Sequence, residues 1–317
     1  MTVKQDDLDR FIAAELSQPV MPEARFLAQK LAEEMGDQAL CVLFYGSCLR
    51  TVDGAGLMDF YILTKDARGY GPGVIARAAH SAVPPFVRYY KCQYKGRQVH
   101  AKVAIITVAR FAALASERAL DISIWARFAQ PVALIYARDE VARDQVHAAM
   151  RSAITTATTW AISFGPEAGA PGDFWRALFR ATYAAELRIE DASRADLIVD
   201  LAAQRYDELF LPAMMAAGFL PVKNDDGSYS VPLPAGERRH AKRPWSVRRM
   251  ASKSINLLRI LKGAMTFEGR ADYVAWKIER RTGISLDLTD WQRRHPLMMA
   301  PQILMQMRRK GAFKKRP

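Results

Sequence analysis

Residues 44–63 read FYGSCLRTVDGAGLMDFYIL. The apolar run ALCVLFY leads into Gly46-Ser47, and 12 residues after Ser47 a lone acid, Asp59, stands inside the apolar stretch GLMDFYIL. A glycine after a buried strand permits a tight turn, and the serine behind it offers both hydroxyl and amide where a helix begins. Such a turn can hold phosphate oxygens. An acid within an apolar strand is costly to bury unless it is paired or bound to a metal. Asp59 is therefore either a satisfied structural carboxylate at a strand end or a Mg²⁺ ligand facing a bound nucleotide. Two residues on, where a second acid on the same strand face would stand, the chain has Tyr61.

Half of the 317 residues are apolar and a quarter charged, enough for a substantial buried core. No run approaches the ~20 consecutive apolar residues of a membrane span. The polar start MTVKQDDLDR lacks the apolar segment of a secretory signal, so the expected compartment is the cytosol. Cys41, Cys48 and Cys92 are too few and too irregular for a disulfide framework or a zinc site and read as reduced thiols in or near a core. The net charge of +13 is uneven: residues 235–317 hold 21 Lys and Arg against 6 Asp and Glu, leaving the rest slightly acidic. That excess suits a nucleic acid, an anionic membrane surface or a phosphorylated substrate.

Five short β-rich runs occupy the first half: ALCVLFYGS, GLMDFYILT, FVRYYKCQY, RQVHAKVAIIT and QPVALIYARD. Helical spacing in DLDRFIAAELSQ and PEARFLAQKLAEEMG, the latter capped by Gly36, sets helices before them. The pattern predicts an α/β (α+β) class, a mixed sheet with flanking helices. Beyond Asp139 long helices are expected at about 139–162, 172–189, 191–216, 246–265 and 270–282, with a loop or hairpin at GFLPVKNDDGSYSVPLPAGE. FGPEAGAPGD, near 164–173, divides a catalytic domain (1–165) from a helical, basic domain (166–317).

An apolar strand ending in Gly-Ser and a later strand bearing acids is the layout of the nucleotidyltransferases, most of which carry a second acid where Tyr61 stands. The stretch YGSCLR…LMDFYILTKD more specifically resembles the mitochondrial-type phosphatidate cytidylyltransferases, the translocator assembly and maintenance proteins, and their bacterial relatives. In that family a single acid occupies the strand, so Tyr61 matches the pattern. The resemblance continues in order through KGRQVHAKVAIIT (Lys102), WARFAQPVALI (Arg127, Pro131), TYAAELRIE (Tyr183, Arg188) and LRILKGAMTFEG (Lys262, Gly263). Departures fall at Cys48, Ala126, Gln130 and Glu186, and they leave the acceptor lipid open.

The resemblance implies a cytidylyltransferase of phospholipid synthesis that joins CTP to phosphatidic acid, giving CDP-diacylglycerol and pyrophosphate with Mg²⁺. Asp59 and Glu186 are then the catalytic acids and metal ligands, with Asp66 a weaker candidate for the metal. Tyr45, Gly46, Ser47, Lys102, Arg127, Tyr183, Arg188 and Lys262 would bind nucleotide or phosphate. His100, beside Lys102, is open between core and cleft. A cytoplasmic protein held peripherally on the inner face of an anionic membrane is expected, with PLMMAPQILMQMRRKGAFKKRP read either as an interfacial helix or as a Met-rich core helix. No nucleic-acid partner is expected. Two rivals remain at this stage: a nucleotidyltransferase acting on another phosphorylated or nucleic-acid acceptor, and a non-catalytic protein that binds anionic lipid.

Overall fold

The computed structural model describes residues 6–51, 56–71, 73–186, 193–232 and 235–266, together with 271, 273 and 289. In chain order the elements are α1 (Asp6–Leu16), α2 (Pro22–Met35), β1 (Ala39–Tyr45), α3 (Ser47–Thr51), β2 (Met58–Thr64), α4 (Val74–Ala82), β3 (Phe86–Tyr94) and β4 (Arg97–Thr107). They continue as α5 (Val108–Ala115), α6 (Ser123–Phe128), β5 (Val132–Ala137), α7 (Glu140–Phe164), β6 (Ala168–Gly169), α8 (Pro171–Ala185), α9 (Ser193–Asp200), α10 (Ala203–Ala216), β7 (Val222–Lys223), β8 (Tyr229–Ser230) and α11 (Ala235–Thr266).

The main sheet has the order β3-β4-β2-β1-β5. Only β2 and β4 run parallel; the other neighbours are antiparallel. All of β1 is buried, which is why its sequence is a continuous apolar run without alternation. Elsewhere the two-residue period sorts the sheet's faces. Val42, Phe44, Phe60, Ile62, Val103 and Ile105 pack with α2 on one face. Leu43, Tyr45, Tyr61, Leu63, Ala104 and Ile106 point into the opposite layer, built from α1, α5 to α8 and α10. Pro22 opens α2, and Gly36, at φ 51°, ends it by donating its N–H to the carbonyls of Ala32 and Glu33.

The mixed sheet with flanking helices agrees with the sequence pattern, and all five expected strands are present. The expected division at 164–173 is not matched by a break in the core. Phe174, Trp175, Leu178 and Phe179 of α8 and Tyr206 and Phe210 of α10 share one cluster with α7 and with Leu43 of the sheet. These side chains are fully buried, each worth about 1.5–3 kcal/mol of transfer free energy. The apolar face of α8 is buried against α7 and α10 as part of the core that covers the sheet.

Boundaries differ where tertiary contacts outweigh local spacing. The helix expected at 191–216 breaks at Leu201-Ala202 into α9 and α10, and the turn lets Arg205 reach Glu15 of α1. The helix expected from 246 begins at Ala235, its polar first half anchored by Trp245 against Trp125, Trp160 and Phe164. The expected hairpin forms as β7 and β8, with β6 on its outer side. All three cysteines are free thiols. Among the described residues no helix is long and apolar enough to cross a membrane. The helix expected at 270–282 and the Met-rich basic end at 296–317 lie outside the described residues.

A shared core should unfold as one unit. Urea unfolding followed by tryptophan fluorescence and by far-ultraviolet circular dichroism is expected to give coincident single transitions. Trp175→Ala should destabilise both signals together by about 3–5 kcal/mol. A separate transition for the helical half would restore two independent domains.

Candidate functional site

Two registers build the site. β1 pairs with β2 so that Tyr45 lies opposite Asp59, and β2 pairs with β4 so that Asp59 lies opposite Lys102. Strand alternation turns Tyr45, Asp59 and Lys102 toward the same face, the one beneath α6 and α7. At the end of β1 the chain turns through Gly46 at φ 90°, a conformation that L side chains rarely adopt. The turn needs glycine for a second reason. A Cβ at Gly46 would stand 2.8 Å from Oδ2 of Asp59, so the missing side chain is the space the carboxylate occupies. Ser47, exposed, opens α3.

Arg127 comes from the last turn of α6. Its Nη1 donates to the Tyr45 hydroxyl at 3.5 Å, and its guanidinium carbon lies 5.4 Å from the centre of that ring. Burial alone disfavours the Arg127 charge. The oxygens of Tyr45 and Tyr61 and the carboxylates of Glu186 and Asp59 outweigh it, raising the pKa so that the guanidinium stays protonated. The Asp59 carboxyl shows the reverse balance. Burial pushes its pKa above the usual aspartate value, while Lys102, Arg127 and Arg50 act in the opposite direction. Three cations thus act on one carboxylate.

The structure brings together most of the residues expected from the sequence. Tyr45, Gly46, Ser47, Asp59, Lys102 and Arg127 lie at the same end of the sheet. Glu186 arrives at the C-terminal end of α8, its N–H donating to the Tyr183 carbonyl, with its carboxylate within electrostatic reach of Arg127. Tyr183, one turn earlier, packs half-buried against the main core. Arg188 lies outside the described residues.

Two expected residues are placed elsewhere. Asp66 stands beyond the far end of β2, roughly 20 Å along the strand direction from Asp59. There it accepts from the Arg68 N–H and pairs with its guanidinium at 2.6 Å, which holds its carboxyl down at about 2. A cap at the wrong end of the strand cannot share a metal with Asp59. Lys262, on α11, donates to the carbonyls of Val83 and Pro85. Burial and the neighbouring Arg259 lower it to about 8. Those carbonyls precede Phe86, whose partner Ile105 lies about 10 Å down β4 from Lys102. Lys262 therefore braces the start of β3, away from Asp59.

Tyr61 fills the place of the second acid with core. Its ring packs on Tyr45, Phe128 and Phe111, and burial raises its phenol above the ordinary tyrosine range. His100 is joined to Tyr89, its Nδ1 lying 2.5 Å from the Tyr89 hydroxyl. Arg50 was not singled out from the sequence, although a cation one helical turn after Gly-Ser was the available signal. Its Nη1 donates to Oε1 of Gln130 at 3.4 Å, whereas its buried Nε has no hydrogen-bond partner. The Arg127 Nε is in the same condition. Among the described residues no group of three or more His, Cys, Asp or Glu side chains forms a metal cluster. Compared with known proteins, the chain matches no family model, and no curated protein matches it.

Because burial raises the Asp59 pKa, ionised Asp59 costs the ligand-free fold stability at neutral pH. That cost disappears as pH falls through the folded pKa to the unfolded one, where both states carry the proton. Asp59→Asn should therefore raise Tm at pH 7, with the gain shrinking toward pH 4, in thermal melts without divalent cation. A gain that grows on acidification would mean the carboxylate is stabilised in its charged form. Gly46→Ala is expected to cost at least ~1 kcal/mol through the positive φ alone, and more as the Asp59 carboxylate is displaced.

Proposed function

We propose that this protein is a nucleotidyltransferase that joins a cytidylyl group from CTP to the phosphate of phosphatidate, releasing pyrophosphate. The observation that carries the reaction class is the single carboxylate of Asp59, set under the Gly46 turn and acted on by Lys102, Arg127 and Arg50. The choice of CTP and phosphatidate rests on the sequence resemblance.

A site whose three cations outnumber its two carboxylates, Asp59 and Glu186, suits a highly charged polyphosphate better than a neutral substrate. Arg127 is fitted for this by its setting: packed against Tyr45 with Nε unpartnered, it is a fixed donor that need not reorganise. Lys102, a compact charge on the strand beside Asp59, neutralises phosphate oxygens without bidentate geometry. The Gly46-Ser47 turn supplies main-chain and hydroxyl donors beside them.

The donor set fits a Mg²⁺ ion that arrives with the nucleotide. Magnesium is commonly bound by one or two carboxylates plus substrate phosphates, and Asp59 with Glu186 would supply that number of protein ligands. When bound, the ion would neutralise the triphosphate and the departing pyrophosphate. Asp59 and Glu186 would orient that charge from the sheet and from the end of α8, and both carboxylates act electrostatically on Arg127.

In the transfer an oxygen of the acceptor phosphate bonds to the α-phosphorus of CTP as the bond to the bridging oxygen breaks. A phosphate monoester has a second pKa near 6 and is already anionic at neutral pH. It needs no base to remove a proton, so the aromatic Tyr61 in place of a second strand acid is compatible with this chemistry. A sugar hydroxyl would make a heavier demand on the same site.

With labelled CTP, Mg²⁺ and phosphatidate vesicles, the wild type is expected to release pyrophosphate and form CDP-diacylglycerol. Asp59→Ala should lower turnover by about 10²–10³-fold, the scale on which losing one preorganised electrostatic group is felt. Glu186→Gln should shift the Mg²⁺ titration to higher concentration. Pyrophosphate release with another acceptor but none with phosphatidate would replace the substrate assignment. Full turnover by Asp59→Ala would remove that residue from the mechanism.

A further inference from the structure

A cavity of about 390 Å³ opens beside the candidate site, at the same end of the sheet. Its apolar lining includes Phe11, Leu49, Pro131 and Leu201, and its polar groups include Arg50 and the pair Glu15–Arg205. Arg50 is the element common to cavity and site. It lines the cavity wall and is also one of the three cations acting on Asp59.

The polar groups of the cavity differ in how far they are committed. Arg205 is bound to both carboxylate oxygens of Glu15 and to the Ala129 carbonyl, so this pair is neutralised within the protein. Gln18 donates to the Val132 carbonyl, and Glu208 accepts from Gln204. Arg50 has only the 3.4 Å contact with Gln130, and its buried Nε has no partner. The Arg50 guanidinium is thus the least committed charge in the lining, and a charge-assisted bond to an anion is open to it. The remaining walls are apolar. The volume lies within the range of small-molecule sites, and the lining is mixed, with charged and polar groups beside the apolar ones.

We infer that this cavity is the acceptor pocket: Arg50 holds the acceptor's phosphate monoester beside Asp59, and Phe11, Leu49, Pro131 and Leu201 receive the carbon stem attached to it. The inference rests on the reaction class proposed above and adds where the acceptor sits and which residue selects it. The shared chemistry is a phosphate monoester on an apolar stem, available either as a lipid headgroup or as a free phosphate ester.

The test uses the full chain and two variants. Ala14→Trp fills the cavity from an exposed position on α1, so the core is untouched. Arg50→Ala removes the anion partner, and melting curves verify folding. Binding of dihexanoyl phosphatidate below its micellar concentration and of glycerol 3-phosphate is measured by calorimetry without CTP, and CTP binding is measured separately. Both variants are expected to weaken binding of dihexanoyl phosphatidate by about tenfold or more. Ala14→Trp should leave CTP binding within about twofold. If glycerol 3-phosphate loses as much, the pocket reads a free phosphate ester; if only the lipid form loses, it reads a lipid headgroup, and either result supports the pocket. Unchanged lipid binding in Ala14→Trp, or no binding to the wild type, overturns it. Variant-sensitive binding in a protein that transfers no cytidylyl group would uphold the pocket while removing the reaction. Transfer with unchanged acceptor KM in both variants would do the opposite.

Discussion

An acidic side chain buried on a central β-strand is the constraint around which this protein is organised. Asp59 lies on β2, the middle strand of the sheet, where burial disfavours its charge. A carboxylate can be kept there only if the chain provides room for its oxygens and positive charge nearby. Gly46 provides the room, since any side chain would collide with Oδ2. Lys102, Arg127 and Arg50 provide the charge, each from a different element: a neighbouring strand, α6 and α3. The residual cost is a pKa still above the normal aspartate value, because burial outweighs the three cations.

The aromatic cluster of Tyr45, Tyr61, Phe111 and Phe128 sets the other limit. It closes the sheet face directly below Asp59 and excludes a second strand acid. It also forms the floor against which Arg127 is fixed. A strand with one acid and a guanidinium packed on its aromatic neighbours is therefore one arrangement with a single cause: the second position along β2 belongs to the core. Glu186 reaches the neighbourhood only because α8 packs on α7 and ends there.

The same packing explains why the chain is continuous where its composition changes. Gly- and Pro-rich residues near 165–172 read as a linker, yet α7 and α8 bury against each other across them. Turn residues mark a change of direction, and only the apolar surfaces on either side decide whether a domain ends there.

Much of the architecture was legible in the residues. Strand periodicity located β1 to β5, and the acid embedded in an apolar strand singled out Asp59 at once. Gly46 and Ser47 followed from their place at the end of β1. These are local facts, carried by alternation and by the cost of burying charge. Registers, ends and partners are not local. Nothing near Asp66 in the chain shows that it caps a turn at the far end of β2, and nothing around Lys262 shows that two carbonyls before β3 hold it. Nor does anything around Arg50 in the chain show that α3 places it against Gln130 and the cavity. The sequence alone settled which residues must be buried and which acid is anomalous, because those follow from short-range pattern; strand pairing and helix packing settled which charges meet that acid, because electrostatic partners are chosen by distance in space and not along the chain.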